Sequence, residues 1–90
     1  MTMIYYTSAF EKEYRKLVRK NPQLREKTKR KIEFFLKNSQ HPSLRIHKAY
    51  SSKVGEVFSF SIEEDLRILF RWKGKDKMIF YRIGSHKEIY

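Results

Sequence analysis

Residues 57–72 are VFSFSIEEDLRILFRW, and this stretch decides the fold. Large apolar side chains alternate with small or polar ones on both sides of Glu63-Glu64-Asp65, the period-two pattern of strands with one buried face. The acidic run between the two halves suits a hairpin turn. The apolar positions are Phe58, Phe60, Ile62, Leu66, Ile68, Phe70 and Trp72. The stretch therefore predicts two antiparallel strands that share one apolar face.

Two further strands are predicted on either side of this hairpin. Lys73-Gly74-Lys75-Asp76 has the composition of a turn, and residues 77–83 after it are suited to a strand. Upstream, residues 44–48 alternate again, and Val54-Gly55 marks a turn between them and the hairpin. These short connections predict an antiparallel meander of three to four strands.

The first forty residues show helical rather than strand periodicity. Ser8 and Glu11 fit a capping box and predict a helix over about 9–20. Asn21-Pro22 predicts the end of this helix and the start of a second, with the asparagine as its N-cap. The residues predicted to pack on the sheet are Phe10, Tyr14, Leu17, Ile32 and Phe35. Two consecutive helices with a tight link are typical of a helical hairpin.

A β-prone run, Met3-Ile4-Tyr5-Tyr6, precedes the helices. The predicted fold class is therefore α+β: an N-terminal strand, a helical hairpin and an antiparallel meander of three to four strands, with the helices packed on one sheet face. The 90 residues are predicted to form a single domain, 1–90.

Charge is the strongest compositional signal. Lys and Arg number 21 against 10 Asp and Glu, which gives a formal net charge of +11. Such a charge on a small domain indicates a nucleic-acid or an acidic protein partner. The chain has no cysteine, which excludes disulfides and thiolate zinc sites. No signal peptide and no membrane-spanning run is predicted.

The sequence ends on groups that can move protons. After the last predicted strand come Gly84-Ser85-His86-Lys87-Glu88-Ile89-Tyr90, with an imidazole and a phenol four residues apart. An imidazole can act as an acid or a base near neutral pH. This segment is a candidate site rather than a tail.

Five segments in order carry a resemblance to a known family. They are 41–48 (HPSLRIHK), Gly55, 58–62 (FSFSI), 65–70 (DLRILF) and 83–90 (IGSHKEIY). Together they resemble the RelE/StbE-type, YafQ-like toxins of type II toxin–antitoxin systems, in the RelE/ParE superfamily. The resemblance spans essentially the whole chain.

The resemblance implies a cytoplasmic bacterial or archaeal toxin with a RelE-like fold. Such a toxin is a ribosome-dependent mRNA endonuclease (mRNA interferase) that uses no metal and no cofactor. Its partners would be the ribosome, mRNA and a small acidic cognate antitoxin, with operator DNA reached only through the antitoxin and no membrane involved.

The resemblance also implies roles for particular residues. His86 would transfer protons, Arg67 would hold the scissile phosphate, and Tyr90 would stack on a base or orient the hydroxyl. Asp65 would orient His86 or simply cap the hairpin. Alternation independently predicts that Arg67 points away from the core. Arg71 should share that sheet face, which is predicted to form a cationic groove for a phosphate backbone. The implied RNA-binding residues are His41, Arg45, His47, Lys48, Lys53 and Arg82.

The sequence also departs from the family pattern. Two lysines of RelE correspond to Phe58 and Phe60, a histidine of YafQ-like toxins to Ser61, and a tryptophan to Leu66. These departures leave the general base unassigned.

Two alternatives remain open at this point. One is a ParE-type inhibitor of DNA gyrase on the same fold, and the other is a catalytically weak nucleic-acid-binding homologue. His86 and Tyr90 favour the nuclease, because gyrase inhibition needs no proton-transfer residue there.

Overall fold

The computed structural model of the protein describes residues 2–89. The elements in chain order are β1 (Met3–Tyr6), α1 (Ser8–Lys20), α2 (Gln23–Lys37), a 3-10 helix (Pro42–Leu44), β2 (His47–Ser51), β3 (Gly55–Glu63), β4 (Leu66–Trp72), β5 (Lys77–Gly84) and α3 (His86–Ile89). The predicted α+β fold class is confirmed.

The five strands form one mixed sheet in the order β1-β5-β4-β3-β2. Strands β2 to β5 are the predicted antiparallel meander, whereas β1 pairs parallel with β5. A parallel pair needs a long connection, and here it comprises both long helices and strands β2 to β4. The helical hairpin carries the chain from β1 to β2, at the other edge of the sheet. The first and last strands are therefore neighbours.

Both long helices cover one face of the sheet. The ring of Phe35 stacks on Phe60 with centroids 4.4 Å apart, and Phe10 lies 5.7 Å from Phe80. All five helix residues predicted to pack on the sheet belong to this core or pack against it. Losing one such buried ring costs about 3–5 kcal/mol, so this aromatic layer dominates the stability of the fold.

The helix starts differ from the prediction. Thr7, not Ser8, caps α1: its Oγ1 accepts from the Phe10 amide at 3.0 Å. Ser8 cannot serve because it is already helical, while Thr7 is extended. The predicted side-chain cap of α2 is wrong as well. That helix begins at Gln23, after a proline in αR conformation, without a side-chain cap.

Two short helices were not predicted. Alternation over 44–48 predicts one strand, but β2 begins only at His47. The residues before it, Pro42–Leu44, form a 3-10 helix that buries Leu44. At the other end of the chain, α3 folds back onto the second face of the sheet. There Ile89 is fully buried against Val57 and Leu69.

Candidate active site

A cluster of polar side chains lies on the sheet face opposite the long helices. His47 pairs with Ser59 across β2 and β3, and Ser61 pairs with Arg67 across β3 and β4. Arg67 reaches back along this face: its Nη1 lies 2.9 Å from His47 Nε2 and 3.5 Å from Ser59 Oγ. We call His47, Ser59 and Arg67 the Arg67 cluster.

The hydrogen bonds assign the proton of His47. A guanidinium can only donate, so His47 Nε2 accepts from Arg67 and carries no proton. The ring proton then sits on Nδ1 and is donated to the Lys48 carbonyl at 3.0 Å. The cluster therefore holds a neutral imidazole whose basic nitrogen faces a fixed cation. The family resemblance implied only an RNA-binding role for His47.

Ser61 takes part in the turn rather than in the cluster. Its hydroxyl donates to the Glu63 carbonyl at 2.9 Å and so helps to close the β3–β4 hairpin. Asp65 lies exposed in that same turn. Phe58 and Phe60, where RelE is expected to have lysines, point toward the helices and pack in the core. Cations at those two positions would not lie beside Arg67.

His86 is the first residue of α3 and is exposed. Gly84, two residues earlier, pairs with Arg67 across β4 and β5. From these spacings the Cα atoms of His86 and Arg67 lie within about 13 Å of each other. An arginine and a histidine can flank one phosphodiester group from such a distance. The prediction for Tyr90 falls outside the described residues.

The turn that presents His86 contains the carboxylate half of a capping box. The Ser85 amide donates to Glu88 Oε1 at 2.9 Å, while the Glu88 amide donates to the Ser85 carbonyl at 3.0 Å. Hydrogen bonds from Ser85 to the carboxylate, aided by Lys16 and Lys20, lower the pKa of Glu88. The motif S-x-x-E that was assigned to residues 8–11 thus operates at residues 85–88.

Gly84 lets α3 approach the sheet. A Cβ on this residue would lie 3.0 Å from Ile89 Cγ2 and 3.2 Å from Glu88 Oε1. Both distances are below ordinary van der Waals contact. The absence of a side chain at this position therefore allows the fold-back of α3, and with it the position of His86.

The other predicted RNA-binding residues lie apart from the cluster. Lys48 pairs with Phe58, so its side chain lies on the helix-covered face of the sheet, opposite to the face that carries the Arg67 cluster. Lys53 lies exposed in the β2–β3 turn, and His41 and Arg45 lie at the two ends of the 3-10 helix.

Arg82 forms an ion pair with Glu13 of α1, and its side chain is only 14% exposed. The structure therefore places Arg82 in a structural contact.

Arg71 was predicted to line the open face together with Arg67. Its guanidinium instead donates to the carbonyls of Val54 and Glu56 and lies 5.4 Å from the centre of the Tyr81 ring. With Ile89 packed on Val57 and Leu69, much of this face is occupied. The predicted cationic groove is therefore reduced to the surroundings of the Arg67 cluster.

Residues 2–89 contain neither a cluster of metal ligands nor a membrane-spanning helix. In this part of the chain no group of three or more His, Cys, Asp or Glu side chains could hold a metal ion. Over the same residues, no helix is long and apolar enough to cross a membrane.

Comparison with solved structures identifies the architecture. The chain superposes on YafQ in the Escherichia coli DinJ–YafQ complex with a TM-score of 0.76 and 23% identity, covering 100% of this chain and 99% of that one. The fold is that of YafQ. Free YafQ from E. coli strain BL21(DE3) gives a TM-score of 0.74 at 22% identity, over 97% and 96% of the two chains. The fold expected from the sequence resemblance is thus confirmed.

A Helicobacter pylori toxin shares the fold of YafQ. A metal-bound structure of that toxin matches with a TM-score of 0.72 and 21% identity over 100% of both chains. No model of a protein family and no curated protein matches the sequence. At these identities the likeness to YafQ and to the H. pylori toxin is a likeness of fold.

Proposed function

We propose that this protein is the toxin of a type II toxin–antitoxin system and cuts mRNA on the ribosome in the cytoplasm. The fold shared with YafQ supports this proposal, and so does the net charge of +11, which favours binding to an RNA backbone. The observation that carries it is the 2.9 Å contact between Arg67 Nη1 and His47 Nε2. It brings a phosphate-binding group and a proton acceptor together on one face.

Arg67 is the anion-binding group in this mechanism. Its planar guanidinium can donate two parallel hydrogen bonds to the scissile phosphate. The same donors stabilise the charge that develops when the 2′-hydroxyl attacks phosphorus. When the scissile phosphate binds Arg67, the hydrogen bond from Arg67 to His47 breaks. The lone pair of His47 Nε2 can then accept a proton from the substrate.

His47 and His86 divide the two proton transfers. Neutral His47 takes the proton of the 2′-hydroxyl as the oxygen–phosphorus bond forms. Protonated His86 gives its proton to the 5′-oxygen as the phosphorus–oxygen bond breaks. The products are a 2′,3′-cyclic phosphate and a 5′-hydroxyl. This assignment supplies the general base that the sequence left open.

The remaining predicted residues have supporting roles in the proposal. Tyr90 stacks on a base next to the cut, an interaction worth about 1–3 kcal/mol. Asp65 closes the hairpin that carries Arg67. Lys48 and Lys53 bind the RNA backbone by charge alone, at a distance from the cut.

The test is cleavage of a translated mRNA by the purified protein with ribosomes. Separate His47→Ala, Arg67→Ala and His86→Ala variants should each lower the cleavage rate by roughly 10²–10⁴-fold, the usual effect of losing an acid–base or charge-stabilising group. Arg19→Ala, which removes an exposed cation from α1, is the matched control and should cleave at the wild-type rate.

The alternatives give different results in the same experiment. If all three variants cut as fast as wild type, the assigned site is wrong. If the wild type leaves mRNA intact and causes gyrase–DNA breaks to accumulate, the protein is a ParE-type inhibitor. Binding to RNA without either activity would identify an inactive homologue.

A cognate antitoxin is the proposed protein partner. The YafQ neighbour was solved in complex with DinJ, and the charge of this chain suits a small acidic protein. Co-expression with the product of an adjacent reading frame should relieve growth arrest and yield a stable complex.

A further inference from the structure

A cavity lies on the helix-covered side of the sheet, beyond the end of α2. Its volume is about 450 Å³, within the range of small-ligand sites, ~300–1,000 Å³. The residues that matter to its chemistry are Gln40, His41, Arg45, Phe58, Phe70 and Trp72. None of the catalytic residues proposed above lines it.

The apolar part of the cavity is an aromatic platform. Trp72 is 42% exposed, although it lies on the core-facing side of β4. Phe35 and Phe70 support its ring, with centroids 6.3 and 6.5 Å away. A partly exposed indole held on packed rings is a surface on which a flat heterocycle can stack.

The polar part of the cavity presents hydrogen-bond donors. His41 Nδ1 accepts from the Ser43 amide at 3.1 Å, so in the neutral ring the proton sits on Nε2. Phe34 braces the same imidazole in a T-shaped contact at 4.9 Å. Gln40 adds an amide that can both donate and accept.

Arg45 stands at the rim of the cavity. Its backbone is left-handed, with φ 50° and ψ 47°, a conformation that costs about 1–2 kcal/mol in a residue other than glycine. This kink ends the 3-10 helix and leaves the side chain exposed. Arg45 also lines the neighbouring cavity that contains Ser61, the cross-strand partner of Arg67. Arg45 thus lies at the rim of both cavities.

We propose that this cavity binds one unpaired nucleobase, stacked on Trp72, with the attached phosphate at Arg45. A base fits better than a phosphate inside the cavity because the walls are aromatic and the carboxyl end of α2, with its partial negative charge, lies beside it. The base belongs to the RNA strand that reaches the Arg67 cluster. The binding of a base in the cavity does not depend on the function proposed above. Only the assignment of that base to an RNA strand rests on it.

The fluorescence of the protein provides the test, because Trp72 is its sole tryptophan. Adenosine and guanosine monophosphates, added without ribosomes, should quench it saturably. Ribose 5-phosphate, which has the sugar phosphate without the base, should not. Quenching by ribose 5-phosphate at the same concentrations would overturn the proposal, since it would show an anion site at Arg45 alone.

Variants measured by calorimetry locate the binding. Trp72→Ala should weaken the nucleotide by roughly 5- to 150-fold, the effect of losing one base–aromatic stack. Trp72→Phe keeps the core packed and should lose less. His41→Asn keeps an acceptor for the Ser43 amide, lacks the Nε2 donor and should also bind more weakly. Tyr50→Ala removes an exposed aromatic side chain from β2 and is the control. Equal affinity in all four variants would overturn the site.

A trinucleotide distinguishes the two sources of the base. If the trinucleotide binds at least tenfold more tightly than the monophosphate, the result supports an RNA strand as the source of the base. If the two ligands bind equally well, the cavity is a site for a free nucleotide and the RNA source is overturned. Arg19→Ala, an exposed residue of α1 outside both the cavity and the proposed catalytic site, should be quenched like wild type by the monophosphates. If the wild-type protein is quenched by the monophosphates but cuts no mRNA, the nuclease is refuted and the cavity assignment stands.

Discussion

At the scale of single residues, the contact between Arg67 and His47 could be predicted only in part. Alternation along 66–72 correctly indicated that Arg67 points away from the helices. Its partner could not be predicted, because His47 lies on another strand and their meeting depends on the register of β2 against β3. That register is set by the turn at residues 52–54. Val54-Gly55 indicated where this turn lies but not its exact length.

Thr7 allows the contribution of a single hydroxyl group to stability to be measured. Its hydroxyl accepts from the Phe10 amide and donates to the Tyr81 carbonyl at 2.7 Å, so it joins the start of α1 to β5. Thr7→Ala should lower the free energy of unfolding by about 1–2 kcal/mol, measured by urea denaturation. Thr7→Ser keeps both hydrogen bonds and is the control. Equal losses in the two variants would mean that the methyl group, and not the hydroxyl, stabilises the junction.

At the scale of elements, the strands and long helices follow from periodicity, whereas the short helices do not. Four residues are too few to show a helical period, so α3 could be inferred only from the capping motif at Ser85 and Glu88. The same motif at Ser8 was misleading, because Thr7 also has a hydroxyl and makes the longer-range contact. A capping motif therefore indicates a helix start only to within a residue.

Gly84 should control the position of α3. Gly84→Ala places a methyl group against Ile89 and Glu88, which should displace α3 and with it His86. We expect mRNA cleavage to fall roughly tenfold or more, because small misplacements of a catalytic group are costly. Chemical shifts of residues 86–89 should move, while unfolding free energy changes by less than about 1 kcal/mol.

Gly74→Ala is the control for Gly84→Ala, because it should lower stability without affecting α3 or the cleavage rate. Gly74 has φ +76° and open space around it, so Gly74→Ala strains the β4–β5 turn without a steric clash. This variant should lose stability and keep its cleavage rate per folded molecule. Unchanged cleavage and unchanged α3 signals in Gly84→Ala would argue against α3 as the element that positions His86.

At the scale of the whole molecule, charge and fold point to the same kind of partner. The excess of 21 basic over 10 acidic residues was evident from composition, and it led to the expectation of RNA or an acidic protein. Composition could not show which Lys and Arg side chains are available to bind such a partner. Arg71 and Arg82 are held by carbonyls and by Glu13, so part of the charge stabilises the fold itself.

Binding of single-stranded RNA should depend steeply on salt. Each phosphate contact contributes about −0.7 to the slope of log affinity against log salt concentration. Lys48→Ala and Lys53→Ala should each make that slope shallower by about this amount, measured by fluorescence anisotropy with a labelled RNA. Arg19→Ala on α1 should leave it unchanged. Slopes equal to that of the wild type in both lysine variants would place the RNA elsewhere.

The place of β5 in the sheet has a consequence for synthesis. β5 lies between β1 and β4, yet it follows every other strand in the sequence. While residues 77–84 are still inside the ribosomal exit tunnel, β1 has no neighbour to pair with and Thr7 has no carbonyl to reach. The nascent chain can therefore complete its sheet only after β5 has left the tunnel. Until then the proposed nuclease cannot reach its full fold.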